Sequence, residues 1–200
     1  MTKTVLKGFL AGMLISMGCV IYTICSSKLL GSFLFSFGLF AIVHLQLNLY
    51  TGKIGYLVDD FSWKYGKELL LSLFGNTIGA LFTSAMIKST RLDLYDTILK
   101  VVELKLNDTL LSIFILSFFC GILMFLAVEL FKKSEHYLSK ILSVVFCVMI
   151  FILCGFEHCV ANMFYLFFVG NYNILWLFMM IMGNTCGSLF ICWSLRQTNK

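Results

Sequence analysis

Charged residues are scarce in this chain of 200 residues, and their scarcity decides its broad class. Only 12% of the residues are charged, whereas 60% are hydrophobic. A soluble domain of this size cannot bury so much apolar surface, so the surrounding solvent must be largely lipid. The same composition excludes a disordered chain. The formal net charge of +5 is explained by membrane topology, since the basic residues flank apolar segments, and it does not call for nucleic acid.

Motifs of metal centres and enzymes are missing as well. The eight cysteines lie within apolar stretches without a Cys-x-x-Cys pair, so we interpret them as buried hydrophobic residues. No His-Glu-x-x-His, Gly-x-Ser-x-Gly or nucleotide-binding loop occurs. Glu157, His158 and Cys159 supply an acid, a base and a nucleophile, but adjacent residues on a helix do not face one another. We expect no enzyme, no metal and no cofactor.

Six apolar segments predict six transmembrane helices, which we call spans one to six. They cover about residues 5–25, 29–47, 69–87, 109–131, 138–170 and 172–193. Six crossings put both termini on one side of the membrane. Ten lysine and arginine residues lie on that side against five on the other, which predicts cytoplasmic termini in the cell (inner) membrane. The connection at 88–108 is predicted to include a short surface helix.

Spans two and five are each interrupted by polar residues. The run from about Tyr137 to Gly170 is longer than the roughly 20 residues of one crossing, and it has Glu157, His158 and Asn162 at its centre. Span two runs into the polar stretch 44–53. Polar side chains at membrane depth are costly, and broken helices persist only inside protein or beside a wet cavity. The region from Glu157 to Asn162 is therefore the first candidate site.

The two halves of the chain also repeat each other. Residues 75–82 recur as residues 183–190 with six of eight positions identical, and spans two and five share their interruption. Three spans per copy would turn the second copy upside down, which predicts inverted repeats at about 1–90 and 106–200 in one domain, 1–200. Close helix packing at Gly-x-x-x-Gly is the simpler alternative. It explains the glycines but not the repeated Asn-Thr.

The motifs together resemble the formate/nitrite transporter family. Residues 155–164, Gly-Phe-Glu-His-Cys-Val-Ala-Asn-Met-Phe, match the signature of its fifth helix, with Cys159 in the position of a serine. Leu49-Tyr-Thr51 is similar to the loop of its second helix, and Gly75-Asn76 and Gly183-Asn184 to its paired Gly-Asn motifs. The resemblance implies an all-α membrane protein with spans two and five broken. It further implies aquaporin-like protomers in a homopentamer, each with one pore. Aquaporins themselves are excluded, because a chain without proline has no Asn-Pro-Ala motif.

The resemblance also implies a path for small monovalent anions of weak acids: formate, nitrite or hydrosulfide. Its constrictions would be lined by Phe35, Leu39, Leu49, Tyr50 and Phe151, with Thr51 and His158 at the centre. Lys140 and Lys7 would attract anions to the inner mouth. His158 would donate a hydrogen bond or lend a proton, so that the substrate crosses as a neutral acid.

Other polar residues in the spans are expected to be structural. These are Glu157, expected to cap loop backbone, and Asn162, Asn76 and Asn184 at the helix breaks. We expect His44 to pack or to lie at an interface.

Three features depart from the family pattern. Gly121 stands where the family usually has asparagine, Asn48 replaces an acidic residue, and the proline after the signature is absent. The lost asparagine supports an alternative function, a non-conducting membrane scaffold or sensor of the same fold. Which of the three anions is carried stays open.

Overall fold

The computed structural model describes residues 2–198, which form helices joined by short loops. The α-helices are α1 (Thr2–Ile24), α2 (Lys28–His44), α3 (Tyr50–Lys53), α4 (Trp63–Lys88), α5 (Tyr95–Leu106), α6 (Leu110–Lys133), α7 (Tyr137–Leu153), α8 (Cys159–Val169) and α9 (Ile174–Thr198). A 3₁₀ helix at Ile54–Val58 follows α3.

Three of the apolar helices have a residue with a hydroxyl side chain as their N-cap. Ser27, Ser62 and Thr109 each accept a hydrogen bond from the backbone N–H three residues further on, at 3.2–3.3 Å. Such caps satisfy one of the N–H groups that a helix start leaves without a partner. Ser62 starts α4 six residues before the apolar segment predicted from residue 69. The cap, and not hydrophobicity, therefore decides where that helix begins.

Four helices, α1, α4, α6 and α9, are long and apolar enough to cross a membrane. They correspond to the four segments without an interruption. The two interrupted segments are not continuous helices: span five is divided into α7 and α8, and span two corresponds to α2, with α3 following in the polar stretch 44–53. The apolar helices α2, α7 and α8 have only 17, 17 and 11 residues.

Glycines allow the backbone of α1 to contact the backbone of α4, and the backbone of α6 to contact that of α9. A Cβ atom on Gly12 would overlap the carbonyl oxygen of Asn76, and one on Gly121 would overlap that of Asn184. Gly79 and Gly187 likewise face backbone oxygens of the partner helix. Close packing therefore accounts for the glycines. It also gives the physical reason for glycine at 121, where no asparagine side chain fits between the two helices.

The connection between α4 and α6 contains the helix α5. This helix buries Ile98 and Val102 and packs against α8. The predicted surface helix therefore also covers part of α8. α8 is enclosed on several sides, since it also contacts α1, α4 and α9.

Candidate functional site

The two helix breaks begin in the same way. At the end of α2 the N–H of Leu47 donates to Ile42 O at 2.9 Å, and at the end of α7 the N–H of Phe156 donates to Phe151 O at 2.9 Å. A hydrogen bond from an N–H to the carbonyl five residues earlier ends a helix only if the residue before the donor has the left-handed conformation. Gln46 and Gly155 provide it, with φ values of 53° and 70°. Both helices thus end in the same way, and α3 and α8 begin a few residues further on.

Two asparagines hold the restarting helices with the same set of hydrogen bonds. Asn76 Oδ1 accepts from the N–H of Tyr50 at 2.9 Å, and its amide donates to the carbonyls of Gly8 and Asn48 at 2.8 and 2.9 Å. Both acceptors and the donor are main-chain groups on other segments. The side chain is fully buried, so these bonds fix the start of α3 against α1 and α4.

Asn184 repeats this arrangement in the second half. Its Oδ1 accepts from the N–H of Cys159 at 2.9 Å, and its amide donates to the carbonyls of Ser117 and Glu157 at 2.7 and 2.8 Å. Because Cys159 contributes its backbone here, the exchange of the family's serine for cysteine leaves this contact intact.

His158 and Thr51 meet at the centre, one from each break. His158 Nε2 lies 2.7 Å from Thr51 Oγ1. On the other edge of the ring, Nδ1 accepts a hydrogen bond from the N–H of Ala161 at 3.2 Å and so caps α8. An accepting Nδ1 carries no proton, so the neutral ring has its proton on Nε2 and donates it to Thr51. The ring is 1% exposed and lies 5.8 Å, centroid to centroid, from the ring of Phe151.

Two cavities approach this pair from opposite ends of the molecule. The terminal cavity, at the end of α1 that holds Lys3, has a volume of about 570 Å³ and reaches Leu39 and Leu49. The distal cavity, at the other end, has about 610 Å³ and reaches Phe35, Phe151 and His158. Phe35 and Leu39 are one turn apart on α2, so about 6 Å of helix separates the inner limits of the cavities. The septum between them is thin and mainly apolar.

Phe35 and Phe151 form the distal face of that septum. Their rings pack edge to face with centroids 5.8 Å apart, the geometry that aromatic pairs prefer.

The terminal cavity is strongly basic. Five lysines and one carboxylate line it: Lys3, Lys7, Lys53, Lys132, Lys140 and Glu68. Lys7 donates to Gln46 O at 3.1 Å, and Lys140 Nζ lies 5.7 Å from the centroid of Phe131. Asn48 Oδ1 accepts from Lys53 at 2.7 Å. The amide at 48 therefore still ties a lysine to the loop, although it carries no charge.

The distal cavity contains an ion pair. Glu157 Oε2 accepts from Lys105 of α5 and, at 2.7 Å, from the Asn162 amide. The prediction that the Glu157 carboxylate caps loop backbone is wrong, because side chains occupy it. Asn162 also donates to His158 O at 3.0 Å, while its Oδ1 has no partner within residues 2–198.

The comparison with known families identifies the chain. The family model for the formate/nitrite transporters matches residues 1–196. The chain belongs to the formate/nitrite transporter family. Its membership makes it a membrane protein of a transport family, as the apolar helices already indicate.

Relatives within the family are distant in sequence. The chain is 27% identical over 180 residues to the formate channel FocA of Haemophilus influenzae, covering 80% of this chain and 63% of that protein. It is 28% identical over 186 residues to FocA of Escherichia coli K12, covering 81% and 64%, and 26% identical over 212 residues to a formate-nitrite transporter of Entamoeba histolytica, covering 91% and 60%. The chain thus spans about three fifths of the length of these relatives.

Solved structures of the family share the fold. A pentameric formate channel with formate bound aligns with a TM-score of 0.84 at 25% identity, over 100% of this chain and 98% of that one. An FNT family ion channel aligns with a TM-score of 0.81 at 19% identity, over 98% and 88%. The second likeness shows the fold alone.

Not every predicted site residue lies on a cavity. Tyr50 lines neither, and its hydroxyl shares a hydrogen bond of 2.9 Å with Thr185 on α9, so its role at a constriction stays a prediction. His44 packs its ring against Phe40 and Phe131 with centroids 5.0 and 5.9 Å apart. This agrees with a packing role.

Sequence reasoning missed two partners of the site, Lys105 and Thr185. Lys105 lies on α5, outside the motifs, whereas Thr185 is the threonine of the repeated Asn-Thr on α9. Only the fold brings the two side chains to Glu157 and Tyr50. The apolar residues Ile98 and Val102, four apart, were the available signal that one face of α5 is buried.

Proposed function

We propose that this protein is a membrane channel or transporter for small monovalent anions of weak acids: formate, nitrite or hydrosulfide. The observation that carries the proposal is the pair of cavities separated by a thin apolar septum at which His158 and Thr51 meet. The strongly basic terminal cavity suits an anion. A septum of about one helical turn suits a substrate of only a few atoms.

The energetic problem of such a path is desolvation. An anion that passes Phe35 and Phe151 must shed water, which is costly in an apolar surrounding. The lysines of the terminal cavity, among them Lys140 and Lys7, raise the local anion concentration. His158 then offers its Nε2–H to the substrate in place of Thr51.

The hydrogen bonding of His158 supports donation over loss of a proton. Because Nδ1 already accepts from the N–H of Ala161, a ring that released its Nε2 proton would become an anion. The substrate therefore takes its proton from hydronium ion in the wet cavity, by the ordinary equilibrium of a weak acid with its surroundings, before it meets His158. The acid then crosses in its neutral form and avoids most of the desolvation penalty.

We further propose that the two halves, about 1–90 and 106–200, are inverted repeats of three spans each. The equivalent hydrogen bonds of Asn76 and Asn184 and the equivalent turns at Gln46 and Gly155 support this relation. The distribution of lysine and arginine supports cytoplasmic termini and a terminal cavity that opens to the cytoplasm.

A homopentamer with one path per protomer is the assembly we propose. It is supported by the pentameric formate channel whose fold covers the whole of this chain. Large apolar side chains are exposed along the helices, and in the membrane these would contact lipid or neighbouring protomers.

A competition flux assay tests the proposal. The purified protein in liposomes is loaded with labelled formate, and unlabelled formate, nitrite or hydrosulfide is added outside. We expect exchange to exceed that of empty liposomes and the preferred anion to compete most strongly. A scaffold or sensor would give the rate of empty liposomes with all three anions, and the proposal would then be wrong. The structure removes the main support for that alternative, since Gly121 is required by helix packing.

A further inference from the structure

A buried carboxylate near the terminal end of α6 has no part in the path described above. Glu129 is 4% exposed. Its oxygens accept hydrogen bonds from Arg196 Nη1 at 2.7 Å, Tyr56 Oη at 2.8 Å and Lys133 Nζ at 3.1 Å. A carboxylate at this depth keeps its charge only with such partners.

Arg196, in the last turns of α9, connects this carboxylate to a second acid. Its Nε and Nη2 donate to the two oxygens of Asp59 at 2.9 and 2.7 Å. One guanidinium therefore holds two carboxylates, one of them in the two-point geometry that is specific to arginine. The neighbouring guanidinium holds the pKa of Asp59 below its usual range, so the bridge stays charged in mildly acidic solution. We call Asp59, Tyr56, Glu129 and Arg196 the Arg196 cluster.

The Arg196 cluster acts on the chain segment that carries part of the septum. Tyr56 lies within the 3₁₀ helix and Asp59 directly after it. Ten residues earlier, Leu49 lies at the inner limit of the terminal cavity. Asn76 fixes the start of this segment at Tyr50, and the Arg196 cluster fixes its end. Residues 49–59 are thus anchored at two points, to α4 on one side and to α6 and α9 on the other.

We propose that the Arg196 cluster is a latch that positions residues 49–59 and so sets the size limit for anions at Leu49. Arg196, Glu129 and Asp59 are positioning residues, since none of them lines either cavity. The size limit rests on the proposed function, whereas the positioning of Leu49 does not.

The first test measures the position of Leu49 without transport. Leu49→Cys is introduced, and the rate of its reaction with a small charged thiosulfonate reagent is measured in detergent. Asp59→Ala and Arg196→Lys are each added, and the same variants with Leu49 in place give the background from the native cysteines. We expect the rate to rise by about tenfold in both, the change that follows from weakening the closed state by about 1.4 kcal/mol.

Asp60→Ala is the matched control. Asp60 is the exposed neighbour of Asp59 and, in the described part of the chain, its side chain has no hydrogen bond or ion pair. Asp60→Ala removes the same negative charge from the same loop as Asp59→Ala does. The labelling rate is therefore expected to equal that of Leu49→Cys alone. Unchanged rates in both Asp59→Ala and Arg196→Lys, with the protein still folded by size-exclusion chromatography, would overturn the latch.

The second test measures the size limit itself. Flux of formate and of lactate is compared in liposomes, and the ratio of lactate to formate is expected to rise about tenfold in Asp59→Ala and to stay constant in Asp60→Ala. A purely structural role would reduce both fluxes in proportion and leave the ratio unchanged, which would refute the size limit. If the unaltered protein passes neither anion, the proposed function fails, and the labelling rates still decide whether the latch exists.

Discussion

At the scale of single residues, His158 performs two separable tasks. Its Nδ1 caps α8, and its Nε2–H is the donor at the septum. Most substitutions remove both, so a loss of flux alone would not tell them apart. Asparagine is among the preferred N-cap residues and offers a way to keep the cap while the ring donor is lost.

We predict that His158→Asn and His158→Phe both assemble but reduce flux by tenfold or more. The reason is the loss of a buried donor, whose net value of about 1.5 kcal/mol corresponds to roughly that factor. His158→Phe should also lower the thermal stability, because it lacks the cap, whose loss costs about 1 kcal/mol. Liposome flux and thermal unfolding of the purified protein measure the two effects. Flux at the level of the unaltered protein in His158→Phe would remove the histidine from the mechanism.

A second prediction concerns the basic mouth. Lys140→Ala should lower the apparent affinity for anions entering from the terminal side, and the loss should shrink at high salt, since screening already weakens attraction at a wet surface. Lys64→Ala is the control, because this exposed lysine lies at the same end but does not line the cavity. Initial uptake rates at several salt concentrations provide the measurement. Equal effects of the two substitutions would show that only the overall charge of the surface matters.

At the scale of elements, the pairs α1 with α4 and α6 with α9 depend on glycine at the contact. The third prediction is that Gly121→Asn, which restores the family's usual residue, destabilises the protein by about 1–3 kcal/mol or more, the range for overpacked sites. A side chain at 121 would push against the backbone of Asn184 and disturb its bonds to the start of α8. Thermal unfolding in detergent is the measurement.

Gly66→Ala serves as the comparison for that substitution. A Cβ atom at Gly66 meets nothing within 4 Å, and alanine in a helix is favoured over glycine by about 0.5–1 kcal/mol. The unfolding temperature of Gly66→Ala should therefore stay the same as that of the unaltered protein or rise slightly. If Gly121→Asn were equally harmless, the contact between α6 and α9 would have to be looser than the structure has it.

At the scale of the whole molecule, the path predicts a pH dependence. If the substrate crosses as a neutral acid, uptake at a fixed total concentration should rise as the external pH falls from about 8 to 5, since more acid is then neutral. The Arg196 cluster should not contribute to this effect. The pKa of Asp59 is lowered in the folded protein, so its carboxylate stays charged and paired with Arg196 at every pH above the ordinary pKa of an aspartate. The pair is lost only when the pH falls through the lowered pKa.

A different result is expected if the substrate crosses as the bare anion. A pore for the bare anion would carry net charge, follow the membrane voltage and respond little to a proton gradient. Voltage-driven flux that is indifferent to pH would keep the channel and eliminate the protonation step.

The last prediction concerns assembly. Phe33, Phe37 and Phe74 are among the large apolar side chains exposed on the protomer, and contact between neighbours at close distance would bury part of such surfaces. We expect extraction in mild detergent to yield a particle of about five protomers, measured by light scattering with the detergent contribution subtracted. A uniform monomer that still conducts anions after reconstitution would contradict this expectation.

Composition and local polarity were sufficient to predict a membrane protein with two interrupted helices, since both are properties of the chain itself. A charge fraction of 12% excludes a soluble domain whatever the fold, and polar residues inside an apolar run mark a break wherever it lies. The recurring Gly-Asn motifs and the residues around His158 likewise identified the family.

The partners of the polar side chains were decided only by the tertiary structure. Lys105 reaches Glu157 across 52 positions and Arg196 reaches Asp59 across 137, while Gly121 lies against the backbone of Asn184. The long helices are apolar on nearly every side, so their sequence pattern does not mark the face that meets a neighbour. Which residues meet depends on how each helix is rotated and how closely its glycines let it approach. Those quantities are set by packing between distant segments, and no local pattern contains them.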